Sequence, residues 1–164
     1  MAIINKIVPC LWFDNRAEDA ARFYVSIFKN SSIGTISHYG KAGYEIHGRR
    51  EGSVMVVSFT LDGTELRALN GGPQFKFTEA ISLEMRCETQ EEIDYFWNRL
   101  GTAGGGEDGP CGWLKDKYGL SWQIVPANMP WLEGGGERSD RAMAALMQMK
   151  KLDMAALERA YNGT

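Results

Sequence analysis

The strongest constraint on this 164-residue chain is that its pattern of elements runs twice. Ile3 to Phe13 is apolar and β-rich and reads as a strand. A helix follows over 16–28, with Ala17, Ala20, Ala21, Tyr24 and Phe28 at helical spacing and Asp14 or Asn15 placed to cap it. Ile33 to Tyr39 and Ser53 to Leu61 read as strands on either side of a polar, glycine-hinged loop over 40–52. Asp62-Gly63 is a two-residue hairpin signal leading into a strand over 64–69. After a connector through Phe75 and Phe77 the order begins again. Ala80 to Cys87 reads as a strand, and Glu88-Thr89 caps a helix from Gln90 to Ala103 whose apolar face is Ile93, Phe96, Trp97 and Leu100. A short strand near Glu107 leads to a hairpin of Cys111–Leu114 and Leu120–Val125, turned at Asp116–Gly119.

The duplication can be stated residue by residue. Phe96-Trp97, late in the second helix, answers Phe23-Tyr24 at an offset of 73 residues (96 minus 23). The turn glycine Gly119 answers Gly63 at an offset of 56 (119 minus 63), because the first copy carries the longer loop. Duplication of a β-α-β-β-β unit predicts pseudo-two-fold symmetry. The expected class is α+β, with residues 1–70 as a first module, 71–132 as a second, and 133–164 as a glycine linker and helical tail. In the tail Ser139 can cap a helix over 141–151 and Asp153 a second over 154–161. Four of the eight methionines lie there, at 143, 147, 149 and 154, an adaptable apolar surface expected to dock on this domain or on a twin subunit.

Composition narrows the function. A net charge of −3, from 18 basic and 21 acidic residues without a basic block, argues against a nucleic-acid partner. No apolar run approaches the ~20 residues of a membrane span, and no signal-peptide pattern opens the chain. Three cysteines without CxxC spacing fit free thiols in a reducing cytoplasm. His38 and His47 stand at no metal-cluster spacing and read as surface residues. Cys10 and Cys87 on strands read as packing, and Cys111 as an unactivated thiol. The expected localisation is cytoplasmic.

Four stretches resemble one family. They are Pro9-Cys10-Leu11-Trp12-Phe13-Asp14 with the helix ending in Phe23-Tyr24; Ala68-Leu69-Asn70-Gly71-Gly72-Pro73 running on through Phe75 and Phe77; Cys87-Glu88-Thr89-Gln90; and Gly109-Pro110-Cys111-Gly112-Trp113-Leu114-Lys115-Asp116 running on to Ser121-Trp122-Gln123. Together they resemble the PhnB-like branch, often labelled demethylubiquinone methyltransferase, of the vicinal oxygen chelate superfamily of glyoxalases, extradiol dioxygenases and bleomycin-resistance proteins. The resemblance implies a curved mixed sheet around a cup. It also implies four cup-facing positions on the first and fourth strand of each module, which in metal-binding relatives hold a divalent cation. Carried onto this chain they are Pro9 and Ser82, then Arg67 and Gln123, or Cys10 and Leu83 after a one-residue slip. None is a histidine or carboxylate, so no metal and no cofactor is expected. The methyltransferase label is discounted, because none of the glycine clusters sits between a strand and a helix as a nucleotide-binding turn would.

The ligand-binding candidates are therefore Arg67, Ser82, Glu84 and Gln123 as cup polar groups, with Trp113, Phe75 and Phe77 as an aromatic wall and Asn70 beside them. Each has a plainer reading. Arg67 could pair with Glu84 or Glu65 and plug the cup, Gln123 could satisfy buried backbone, and Asn70 could cap or turn the chain. Trp122, opposite Gln123 in parity, reads as core. The expected function is a small-molecule-binding protein with an unidentified organic ligand, forming a homodimer. The alternatives are an enzyme of lyase, dioxygenase or isomerase type acting on a small oxygenated compound, and a structural dimer module with a filled cup.

Overall fold

A computed structural model describes residues 6–164. Ile3 to Asn5 of the expected first strand therefore lie outside the described residues. The chain divides into two compact units, Met1–Lys76 and Phe77–Thr164.

The first unit runs β1 (Cys10–Phe13), α1 (Ala17–Ile27), β2 (Ser32–His38), α2 (Tyr44–His47), β3 (Val54–Leu61) and β4 (Thr64–Asn70). These strands form one sheet in the order β1-β4-β3-β2, with β1 parallel to β4 and the remaining pairs antiparallel. Asp62 and Gly63 both have positive φ, 44° and 76°, the type I′ geometry that lets two residues turn β3 into β4. Ala17, Ala20, Ala21, Tyr24 and Ile27 are buried on one stripe of α1, against Val57, Phe59, Leu66 and Ala68 from alternate positions of β3 and β4. The other face of the sheet carries Cys10, Trp12, Ser58, Glu65, Arg67 and Leu69.

Two local expectations are corrected in this unit. Neither Asp14 nor Asn15 caps α1. Arg16 is its N-cap residue and makes no side-chain capping bond; the carboxamide of Asn70, at the end of β4, accepts from Ala17 N–H at 2.8 Å instead. The 40–52 loop also contains one helical turn, α2, bracketed by Gly43 and Gly48 in the left-handed region.

The second unit repeats the plan: β5 (Ser82–Cys87), α3 (Gln90–Leu100), a 3-10 turn at Thr102–Gly104, β6 (Glu107–Asp108), β7 (Trp113–Lys115) and β8 (Ser121–Pro126). Its sheet order is β5-β8-β7-β6, again with the first and fourth strands parallel. Thr89 Oγ1 accepts from Glu92 N–H at 3.3 Å while the Glu92 carboxylate takes Glu88 N–H at 2.7 Å, a capping-box exchange displaced by one residue. Ile93, Phe96, Trp97 and Leu100 are buried on α3, as the periodicity expects, and Leu114, Trp122 and Ile124 are buried in the same unit. The hairpin turn is held by buried Asp116. One carboxylate oxygen accepts from Tyr118 and Leu120 N–H, at 2.8 and 3.1 Å, and the other from Trp122 Nε1 at 2.9 Å.

Three short helices complete this unit: α4 (Pro130–Glu133), α5 (Gly136–Leu146) and α6 (Met154–Asn162). Val125, Trp131, Ala142, Leu146, Leu152 and Leu157 form their core, so the tail docks on its own domain. Gln90 of α3 clamps it, donating to Leu152 O at 3.0 Å and accepting from Met154 N–H at 2.9 Å. Lys151 pairs with Asp94 at 2.6 Å. Asp153 caps α6 as expected, at 2.8 Å from Ala156 N–H, but Ser139 is buried inside α5 and caps nothing. Cys111 is likewise not in a strand. It turns at φ 57°, and its N–H and that of Gly112 donate to Met149 and Lys150 carbonyls, each at 2.7 Å, so β7 starts two residues later than expected.

Candidate functional site

Strand register decides which side chains share a face. In the first unit Cys10 stands opposite Arg67 across the parallel pair β1–β4, while Pro9 offers only its carbonyl, accepting from Arg67 N–H at 2.9 Å. In the second unit Ser82 is opposite Ser121 and Glu84 opposite Gln123. The first-strand neighbour of Arg67 is thus Cys10 and that of Gln123 is Glu84. Cys10 is also exposed, which corrects its reading as a packing residue.

Around these positions the bonds are specific. Gln123 Nε2 donates to Ser82 Oγ at 2.9 Å, leaving the amide oxygen of Gln123 and the hydroxyl hydrogen of Ser82 for a further partner. Glu84 is held by Arg86 at 2.6 Å on the exposed surface of β5. Arg67 is exposed, and among the described residues of its unit it makes no ion pair, with Glu65 or any other acid. Trp113 is half-buried and sits opposite Gln123 across β7–β8. Asn70 is buried, and both ends of its carboxamide are engaged. Its oxygen caps α1, and its nitrogen donates to Val54 O at 3.1 Å, while its backbone carbonyl accepts from Tyr39 Oη at 2.7 Å. Phe75 is 65% exposed and leans edge-on against Trp12, ring centres 4.9 Å apart. The Trp12 indole N–H donates to Gly72 O at 2.8 Å and its ring covers Gly71 so closely that no Cβ fits there. Phe77, at the start of the second unit, is half-buried.

Neither unit by itself offers a donor set that suits a divalent metal. Arg67 is a fixed cation, Gln123 turns an amide N–H toward Ser82, and Glu84 is already neutralised by Arg86. Among the described residues no group of three or more His, Cys, Asp and Glu side chains converges on a metal-sized site. Nor do the glycines form a cofactor cradle of the doubly wound kind. Gly104–Gly106 follow a helix, Gly134–Gly136 lie between helices, and Gly71–Gly72 lead from β4 into the connector.

Two features of the second unit escaped the sequence reading. Ser121 is only 1% exposed, and its hydroxyl has no hydrogen-bond partner among the described residues. Lys115 makes an ion pair with Glu79 from the connector, and that hydrogen bond holds the Glu79 carboxyl below its usual range. Alternation from Gln123 would have put Ser121 on this face, but nothing in the sequence says which serines lose water.

Paired β-α-β-β-β modules with parallel first and fourth strands define the class: an α+β protein of the vicinal oxygen chelate fold. The model of the family described as 3-demethylubiquinone-9 3-methyltransferase matches residues 5–125, and the chain belongs to that PhnB-like family. Among solved structures, a putative 3-demethylubiquinone-9 3-methyltransferase, PhnB protein, from Bacillus cereus is 38% identical, covering 74% of this chain and 98% of its own, with a TM-score of 0.62. A protein from Pseudomonas aeruginosa shares the fold at 18% identity, 75% of this chain, 97% of its own and a TM-score of 0.59. A glyoxylase/bleomycin resistance protein/dioxygenase domain from Frankia sp. EAN1pec is 17% identical over 82% of this chain and 96% of its own, with a TM-score of 0.46. No curated protein gives a significant match. The methyltransferase description is the family's name and does not establish an activity. No helix among the described residues is long and apolar enough to cross a membrane.

Proposed function

We propose that this protein binds a small organic ligand on the face of the second sheet turned away from α3, without the divalent metal of its wider superfamily. The Ser82–Gln123 hydrogen bond carries the reading. Where a metal site needs two lone-pair donors turned inward, these side chains satisfy each other and still offer one donor and one acceptor. In the first unit, considered by itself, the exposed guanidinium of Arg67 is available to a carboxylate, phosphate or polarised carbonyl. Trp113 supplies a flat wall and Glu84 and Phe77 belong to the same unit, while in the first unit Phe75 leans on Trp12 and Asn70 positions α1. No nucleic-acid or membrane partner is part of this reading.

The protein is further proposed to be cytoplasmic, where its three free cysteines stay reduced, and homodimeric. Exposed Met143 and Met147 on the tail support self-association. Elemental analysis of native protein purified without chelator tests the central claim, with less than a tenth of an equivalent of any divalent metal expected. A full equivalent, lost on Gln123→Ala, would refute it. Screening diketones, catechols and quinones for turnover, with and without divalent metals, tests for an enzyme. Metal-independent turnover abolished by Arg67→Ala would replace binding by catalysis. A monomer by light scattering at micromolar concentration would remove the dimer.

A further inference from the structure

The face of the second sheet turned away from α3 holds a cavity of about 240 Å³, lined by Glu79, Glu107, Asp108, Trp113, Lys115 and Ser121 among others. That is the room of about eight waters at ~30 Å³ each, enough for a ligand the size of a substituted ring. Pairing across the sheet explains how these side chains meet. Glu107 is opposite Lys115, Lys115 opposite Ser121, and Ser121 opposite Ser82, one row running from β6 to β5.

Two independent observations point to a ligand. Ser121 is almost wholly buried in the wall of this cavity, and its hydroxyl is unpaired. Buried hydroxyls find partners in folded proteins, so one left open at a cavity is a position kept for something that enters. The charges then select what enters. Two carboxylates, Glu79 and Glu107, face a single ammonium, Lys115, which Glu79 already pairs, while the carboxylate of Asp108 is turned to Thr102 N–H. The wall is therefore net negative even with Lys115 charged. An anion entering would meet the carboxylates with no free cation to receive it, whereas a cation would be attracted, and the indole of Trp113 offers a π face for it.

We propose that this cavity takes a small organic cation with a flat apolar body, an aryl-alkyl amine in chemical class. Its ammonium lies toward Glu107 and Glu79, its ring stands against Trp113, and Ser121 Oγ accepts one of its N–H groups. The proposal rests on the reading that this sheet face is a ligand-binding face, and it adds the charge of the ligand and the residues that choose it.

Three probes of one shape and different charge test it: benzylamine, benzyl alcohol and benzoate, titrated into the 15N-labelled full chain and followed by amide and indole shifts. Benzylamine is expected to shift the Trp113 indole and Ser121 amide saturably, benzyl alcohol at least tenfold more weakly, and benzoate not at all. Ser121→Ala should weaken benzylamine about fivefold to tenfold while raising Tm by ~2–4 °C, because an unpaired buried hydroxyl has been removed. Glu107→Gln should narrow the gap between benzylamine and benzyl alcohol. The proposal is overturned if benzoate binds as well as benzylamine, if no probe shifts Trp113 and Ser121, or if Ser121→Ala lowers Tm. A probe that shifts Ser82 and Gln123 while leaving Trp113 and Ser121 unmoved would keep ligand binding and remove this site.

Discussion

Replacing Asn70 by alanine is expected to loosen the first unit through a helix that Asn70 does not belong to. Its side-chain oxygen is the partner of Ala17 N–H at the start of α1, 53 residues earlier, and its nitrogen supplies Val54 O on β3. Loss of a helix N-cap costs about 0.5–2 kcal/mol, and a buried group left unpaired about 1–3 kcal/mol. Since Arg16 makes no side-chain cap that could take over, Asn70→Ala should cost about 2–4 kcal/mol. For a chain of this length that corresponds to a fall in Tm of roughly 5–15 °C. Asn70→Asp should lose less. It keeps an acceptor for Ala17 N–H and places a negative charge at the N-terminus of α1, but it has no N–H for Val54. Urea unfolding gives the total, and hydrogen exchange read by mass spectrometry gives the location, with α1 amides losing protection before those of α3. If Asn70→Ala cost less than about 0.5 kcal/mol and left α1 protection unchanged, the cap would be incidental and the argument from burial wrong.

Three further outcomes are expected. Asp116→Ala leaves Tyr118 N–H, Leu120 N–H and the Trp122 indole without their carboxylate and should cost about 3–5 kcal/mol, whereas Asp116→Asn should cost clearly less; urea midpoints of the two variants decide it. Thiol labelling of the native protein should modify Cys10 first, Cys111 more slowly and Cys87 only on unfolding, since burial, helped by Glu92, pushes the Cys87 thiol up to about 12. Because that folded value lies above the unfolded one, its contribution to stability is intact below about pH 9 and is lost between pH 9 and 12, at no more than ~1.4 kcal/mol per pH unit. The stability gap between wild type and Cys87→Ala should shrink over that window, and a gap constant from pH 8 to 11 would contradict the assignment. Truncation after Leu146 removes Leu152 and Leu157 from the core around Val125 and Trp131, and light scattering should show association beyond the dimer that full-length protein lacks at equal concentration.

Much of the scaffold can be read from the chain because its signals are local. The Asp62-Gly63 turn, the apolar stripe of α3, the Asp153 cap and the repetition of β-α-β-β-β each depend on residues within a few positions of one another. The failures share a cause as well. Proximity points to Asp14 or Asn15 as the α1 cap, while the group that performs it arrives from the end of β4. Ser139 has the right type for a cap, but the helix already begins at Gly136 and carries it inside. The early start expected for β7 overlooked the tail, whose carbonyls take the N–H groups of Cys111 and Gly112.

The opposite-face assignment of Trp122 and Gln123 follows from period two, and burial of Trp122 agrees with it. Parity does not say which residue of the neighbouring strand stands opposite, because a strand can slide by two residues and keep the same side chains on the same face. Burial of Leu11 and Phe13 puts Cys10, not Pro9, on the face of Arg67, whereas the Ser82–Gln123 bond had to be found in the fold. The sequence by itself determined two β-α-β-β-β modules, their buried helix faces and a helical tail. Tertiary structure decided the register, the partner of each polar group, and which of them, Ser121 above all, was buried without one. Hydrophobic periodicity acts over a turn of helix or a pair of strand residues, whereas hydrogen-bond satisfaction is settled between segments forty or fifty residues apart.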